Sequence, residues 1–242
     1  MLLNYMIRLL PGLIIGFVFV KLLPNKLIEI RILSYILIFI LFRDLLTPFN
    51  YWEFGSTGFF WIRFSNDFVL LFTIAIMAFA AVLFLYYHET DLRLYVVWRT
   101  KSLPYIIVMG LVGAMVVVFP LAIIYLFIPI AHRGGEVALP IIVPIFFITI
   151  FGNLFEEFLF RGYLQGYFER VMSKNRAIYL SGLAFCFGHI FLAINISDVG
   201  LPLLIFVLYE GIVAAFIKNR YGVIASTITH GIAIFILSSG VL

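Results

Sequence analysis

Glu156 and Glu157 are adjacent acids inside an apolar run, with Arg161 four residues after the second. A charged group in hydrocarbon costs on the order of several kcal/mol, so the acids that persist there line a cavity, a proton path or a catalytic site. On a helix turning about 100° per residue, Glu157 and Arg161 share a face and Glu156 points about a quarter turn away. Glu157 is therefore read as the partner of Arg161. Glu156 is left to face a cavity, with Asn153 and Tyr163 on its side. Two histidines, His189 and His230, also lie deep in apolar runs, whereas His88 and His132 fall beside polar residues at run ends and read as solvated. Counted at about 1.5 Å per residue, Glu156, His189 and His230 share a depth roughly 12–18 Å from one membrane face. A carboxylate and two imidazoles brought together can take a proton from water, hold the hydroxide near a carbonyl and return the proton to a leaving group.

These residues need membrane helices to hold them. Apolar residues make up 64% of the 242 and charged residues 12%, far from the roughly half-apolar, quarter-charged mix of soluble domains. Runs of about 20 apolar residues predict eight spans, at 3–23, 27–46, 68–87, 104–130, 142–164, 177–196, 201–217 and 223–241. The fold class is all-α, a polytopic membrane helix bundle, in one domain covering 1–242. No small-residue cleavage pattern follows Arg8, so the first span is expected to stay in place. The segment 51–64, with Tyr51, Trp52, Phe54, Phe59, Phe60 and Trp61, reads as an interfacial aromatic belt, and 93–101 as a short surface helix. Of the 16 Lys and Arg, twelve fall in the odd-numbered loops. Four, Arg8, Arg43, Arg63 and Arg133, fall on the other side. The bias predicts odd loops in the cytoplasm and both termini outside. Dispersed basic residues without a continuous stripe give no reason to expect nucleic acid as a partner. A single cysteine, Cys186, excludes an internal disulfide and a cysteine-rich metal cluster.

The same residues carry a resemblance. Glu156-Glu157-Phe158-Leu159-Phe160-Arg161-Gly162 is similar to the EExxxR(G) motif of the CPBP family, which includes type II CAAX prenyl endopeptidases, bacteriocin-processing proteases and abortive-infection proteins. Phe185-Cys186-Phe187-Gly188-His189 resembles its FxxxH motif, and His230 the histidine of its closing HxxxN/D motif. The order agrees, with Gly211 in the seventh span and Tyr221-Gly222 before the last. The resemblance covers about 143–236 and implies an intramembrane glutamate-dependent endopeptidase. Its catalytic groups would be Glu156, His189 and His230, supported by Glu157, Arg161, Asn153 and Phe185. One position departs: the family's last Asn or Asp is Ile234 here. The resemblance gives that Asn a role in holding the oxyanion or orienting the histidine, which isoleucine cannot fill. Asn153 could serve instead, or activity could be weak or absent.

The implied reaction is hydrolysis of a peptide bond in a membrane-associated protein or peptide, in a lipid bilayer, expected to be a bacterial plasma membrane, with no cofactor. Other readings stay open. Glu156, His189 and His230 could bind zinc, ranked lower because no carboxylate stands out in the sequence to orient the histidines. Cys186 could act as a nucleophile with His189, although a small packing role suits it better. Glu210, a further acid in the seventh span, could serve a transporter or proton path, but no inverted repeat accompanies it. A catalytically silent chain could act as a scaffold for a partner membrane protein.

Overall fold

The computed structural model describes residues 2–24, 26–45, 51–55, 60–197 and 199–242. Among the described residues, nine α-helices follow the apolar runs: α1 Leu2–Leu22, α2 Ile28–Leu45, α3 Phe68–His88, α4 Leu103–Tyr125, α5 Leu139–Glu157, α6 Gly166–Val171, α7 Lys174–Phe187, α8 Leu201–Tyr221 and α9 Val223–Ser238. π-helical turns at Phe158–Gln165 and Leu192–Ile196 join α5 to α6 and extend α7. The apolar faces that a soluble protein would hide point outward, as at Ile76, Val108, Phe119 and Ile205. Hydrocarbon is the solvent that satisfies them.

Among the described residues, five stretches are long and apolar enough to cross a membrane, Phe68–His88, Leu103–Tyr125, Leu139–Val171, Lys174–Ile196 and Leu201–Tyr221. The other three of the eight expected spans fall short of that measure for visible reasons. α2 carries Glu29, Arg31, Arg43 and Asp44 within its 18 residues, α9 has only 16, and in α1 the apolar stretch is the short Leu10–Leu22. The fifth span is longer than expected: 33 residues at about 1.5 Å each reach roughly 50 Å, beyond a hydrocarbon core of about 30 Å.

The aromatic segment departs from the belt expected of it. Trp52–Phe54 and Ile62–Phe64 (β1 and β2) pair antiparallel with Trp52 opposite Phe64 and Phe54 opposite Ile62. Buried Arg63 ties this hairpin to the C-terminal end of α9 by donating to the Leu237 carbonyl at 3.0 Å and to that of Gly135 at 3.1 Å. Its aromatic side chains turn toward the bundle interior, where Phe60 stacks on Phe206 of α8 with ring centroids 5.0 Å apart. Phe59, and Leu46 at the end of the second expected span, lie outside the described residues.

The segment 93–101 is likewise not a surface helix. After a single 3₁₀ turn at Leu92–Tyr95 it runs extended against the α8–α9 turn, where the Val223 and Ile224 N–H groups donate to the carbonyls of Val97 and Trp98 at 2.9 and 3.1 Å. Those are first-turn donors of α9, which no helical carbonyl can satisfy. The strap takes that role. The turn itself needs Gly222, which sits at φ +93 and would put a Cβ 2.6 Å from the Trp98 carbonyl oxygen.

The bundle has two distinct ends. One gathers the first turn of α2 (Glu29 bonded by Tyr167), the 96–100 strap and the α8–α9 turn, and the other gathers the hairpin, Arg133 and the C-terminal residue, whose carbonyl Arg133 contacts. Gly222→Ala should lower the thermal stability of the detergent-solubilised protein by about 1–3 kcal/mol, through φ strain and loss of the strap contact. Gly12→Ala, with nothing within 4 Å of the added Cβ, should leave it unchanged. Equal stability of the two variants would contradict the strap's role.

Candidate active site

Glu156 lies one residue before the end of α5, and its carboxylate enters a cavity of about 360 Å³ lined also by His189, His230, Asn153, Ile234, Arg43 and Glu210. Most of the remaining lining is apolar, from α2, α3 and the hairpin, including Phe39, Phe42, Phe54 and Met77. The polar groups thus gather on one wall of an otherwise greasy chamber.

Behind that wall, Glu157 and Arg161 are fully buried, each at 0% exposure. They form the i,i+4 pair expected of them, Arg161 Nε lying 3.5 Å from Glu157 Oε2. Glu157 has a second contact that sequence reasoning missed: its Oε1 accepts from His230 Nδ1 at 3.1 Å. This is the carboxylate that orients a histidine and fixes which ring nitrogen carries the proton. Arg161 spends another donor on the Gly211 carbonyl at 3.0 Å and lies 4.3 Å from the Phe185 ring centroid. Phe185 in turn meets the His189 ring at 4.5 Å and the His230 ring at 5.4 Å. One phenyl ring therefore spaces the arginine and both histidines. The close approach of α7 to α8 that allows this depends on Gly182, where a Cβ would meet Ile212 Cγ1 at 2.8 Å, and on Gly211, where it would meet Phe185 at 3.1 Å.

His189 is held from its other side. Its Nδ1 lies 2.8 Å from the Phe185 carbonyl, which can only accept, so Nδ1 carries the proton and Nε2 presents a lone pair. Arg43 Nη1 meets that lone pair at 3.1 Å and lies 4.0 Å from Glu156 Oε1. His230 Nε2 faces Glu156 Oε2 at 3.9 Å and Glu210 Oε2 at 3.6 Å, both beyond hydrogen-bond length. Asn153 lines the cavity and donates back to its own helix, to the Thr149 carbonyl, at 2.7 Å.

Tyr163 does not share the Glu156 face. The π-helical turn that begins right after Glu157 closes i→i+5 bonds and changes the angular phase, so the Tyr163 hydroxyl instead donates to the Leu85 carbonyl at 3.2 Å. Cys186 packs with its Sγ toward the Leu204 carbonyl at 3.4 Å and takes no part in the cavity wall. Glu210 belongs to the same wall as Glu156 rather than to a separate path. Arg43 was read from sequence only as a charge near a span end. Its position next to the acidic pair gave no local signal, because the two lie far apart in the chain.

Among the described residues, no group of three or more His, Cys, Asp or Glu has a geometry that could hold a metal ion. The Arg43 guanidinium on His189 Nε2 opposes zinc there, since it places a cation where the metal would bond.

No curated protein and no solved structure matches the chain. Residues 137–236, which hold Glu156, His189 and His230 and both π-helical turns, match the family model described as type II CAAX prenyl endopeptidase Rce1-like, the protease family that the three motifs resemble.

Proposed function

We propose that this integral membrane protein is an intramembrane endopeptidase that hydrolyses a peptide bond of a membrane-associated protein or peptide. The observation that carries the reading is the meeting of Glu156, His189 and His230 on one wall of an apolar chamber, inside the segment that matches a protease family. Water held between Glu156 and His189 gives a proton to the Glu156 carboxylate, and the hydroxide attacks the substrate carbonyl. Glu156 then passes the proton to the leaving amine. His230, aligned by Glu157, presents its Nε2 lone pair to the same group and accepts from Glu156 once that carboxyl carries the proton. The apolar walls from α2, α3 and the hairpin receive the greasy part of the substrate, and the polar wall receives the scissile bond.

Glu157 and Arg161 have a different task. They fix the end of α5 and, through Phe185, the spacing of both imidazoles. Truncating the acid that faces the chamber therefore removes chemistry, not structure.

The twelve-to-four basic bias of the sequence supports an orientation in which the end bearing the α6–α7 and α8–α9 connections is cytoplasmic and both termini lie outside. With Cys186 replaced by alanine, a cysteine at Lys174 should react only with a cytoplasmic impermeant thiol reagent, and one at Glu136 only from outside. The reverse pattern would invert the orientation.

The function is tested by incubating the detergent-purified protein with a peptide library made from bacterial membrane proteins and reading new termini by mass spectrometry. Wild-type protein should generate a defined set of termini, and Glu156→Gln, at equal folded abundance, should lower each by at least about 100-fold, the usual range for loss of a general base. Termini that persist with Glu156→Gln would refute the role of Glu156. A wild-type protein that cleaves nothing, together with a cellular phenotype unaffected by Glu156→Gln, would point to the scaffold.

A further inference from the structure

We infer that Arg43, on α2 and outside the segment that matches the family, supplies the oxyanion donor that Ile234 cannot; this rests on the protease reading above. The chamber wall has few donors left over. His189 Nδ1 is spent on the Phe185 carbonyl, His230 Nδ1 on Glu157, which leaves its Nε2 a lone pair turned toward Glu156 and Glu210, and Asn153 Nδ2 on the Thr149 carbonyl. Ile234, one helical turn beyond His230, lines the chamber with no polar atom.

Arg43 is differently placed. Its Nη2 donates to the Gly188 carbonyl at 2.8 Å and to Asp44 Oδ1 at 2.9 Å, and its Nε to the same Asp44 oxygen at 3.0 Å. A planar guanidinium held on that edge has a fixed direction for its remaining nitrogen. That nitrogen, Nη1, points into the chamber and lies 3.1 Å from His189 Nε2 and 4.0 Å from Glu156 Oε1. It therefore stands between the two groups that hold the attacking water. The residue is 4% exposed, so its charge acts where bulk water screens little.

The two roles of Nη1 alternate. Without substrate it occupies the His189 lone pair. A substrate carbonyl oxygen entering the chamber accepts from Nη1 in its place, which frees Nε2 to hold the water. As Glu156 takes a proton from that water, the new C–O bond forms at the carbonyl carbon and the C=O electron pair moves onto oxygen, against the guanidinium. When the C–N bond breaks, its pair leaves on nitrogen, which takes the proton from Glu156, and the carbonyl reforms as the acid. Arg43 ends unchanged, as does Glu156.

The test uses a peptide from the library that wild-type protein cleaves in a Glu156-dependent manner, with kcat and KM measured for the full-length protein and four variants. Arg43→Gln should lower kcat by about 100- to 1000-fold, the usual loss for one oxyanion donor, with KM changed by less than about threefold. Adding Ile234→Asn in that background should recover about tenfold or more, because the amide restores a donor one turn from His230. If Arg43→Gln does not fold, Arg43→Lys serves. Its ammonium lacks the planar fork that keeps one nitrogen on Gly188 while aiming the other at the carbonyl, and kcat should fall about tenfold or more. Undiminished kcat in a folded Arg43→Gln or Arg43→Lys protein would overturn the assignment. So would a loss that Ile234→Asn fails to relieve, since Arg43 would then only position His189. Glu156→Gln distinguishes the two levels of failure: cleavage that ignores it defeats the protease reading itself, whereas cleavage that needs Glu156 but not Arg43 defeats this inference alone.

Discussion

The ion pair between Glu157 and Arg161 is the constraint around which the rest of the site is arranged. Neither side chain has any exposure, and removing two charges from water carries a desolvation cost that only close pairing and further hydrogen bonds offset. Here the offsets are spread across the bundle: Arg161 reaches the Gly211 carbonyl on α8 and the Phe185 ring on α7, and Glu157 reaches His230 on α9. Four helical segments must therefore meet at one place for the pair to be tolerated. The same meeting brings both His189 and His230 against Phe185. Burial of a charge pair acts here as a positional device, at a depth where a misplaced helix would strand an uncompensated ion.

Around this node the chain uses contacts suited to a low-dielectric surround. Glycines at 182 and 211 let helices approach without the hydrophobic drive that packs soluble cores. A strap of extended backbone supplies the carbonyls that the first turn of α9 requires, and buried Arg63 closes the opposite end onto the hairpin. The chamber left between α2, α3, the hairpin and the motif-bearing helices is apolar on most sides, so the few polar groups in it face one another. Arg43, Glu156 and His189 then form an interacting set rather than three separate side chains.

Much of this was legible in the chain. Apolar runs near 20 residues located the helices to within a few residues, because a continuous apolar run of that length crosses hydrocarbon as a helix, which satisfies its own backbone. The i,i+4 relation of Glu157 and Arg161 is a local property and was read correctly, as was the separate direction of Glu156. What failed was non-local or broke helical periodicity. The Glu157–His230 contact and the placement of Arg43 join residues distant in sequence, which no spacing rule reaches. Tyr163 was misplaced because the π-helical turn interrupts the phase on which the reading relied. The aromatic segment around Trp52 gave a true apolar signal, yet its partner is the chamber and not the bilayer interface. Charged residues in α2 shortened its apolar run for the same reason that they matter: Arg43 is there to face the site.

Thermal unfolding of the detergent-solubilised protein in four forms tests the central division between the two glutamates most directly. The forms are wild type, Glu156→Gln, Glu157→Gln and Glu157→Gln combined with Arg161→Met. Glu156→Gln should unfold with wild-type protein. Glu157→Gln should lose about 3–5 kcal/mol, the range for leaving one partner of a buried pair uncompensated, and the double variant should regain most of it. A Glu157→Gln protein as stable as wild type, with Glu156→Gln the destabilised one, would contradict the account.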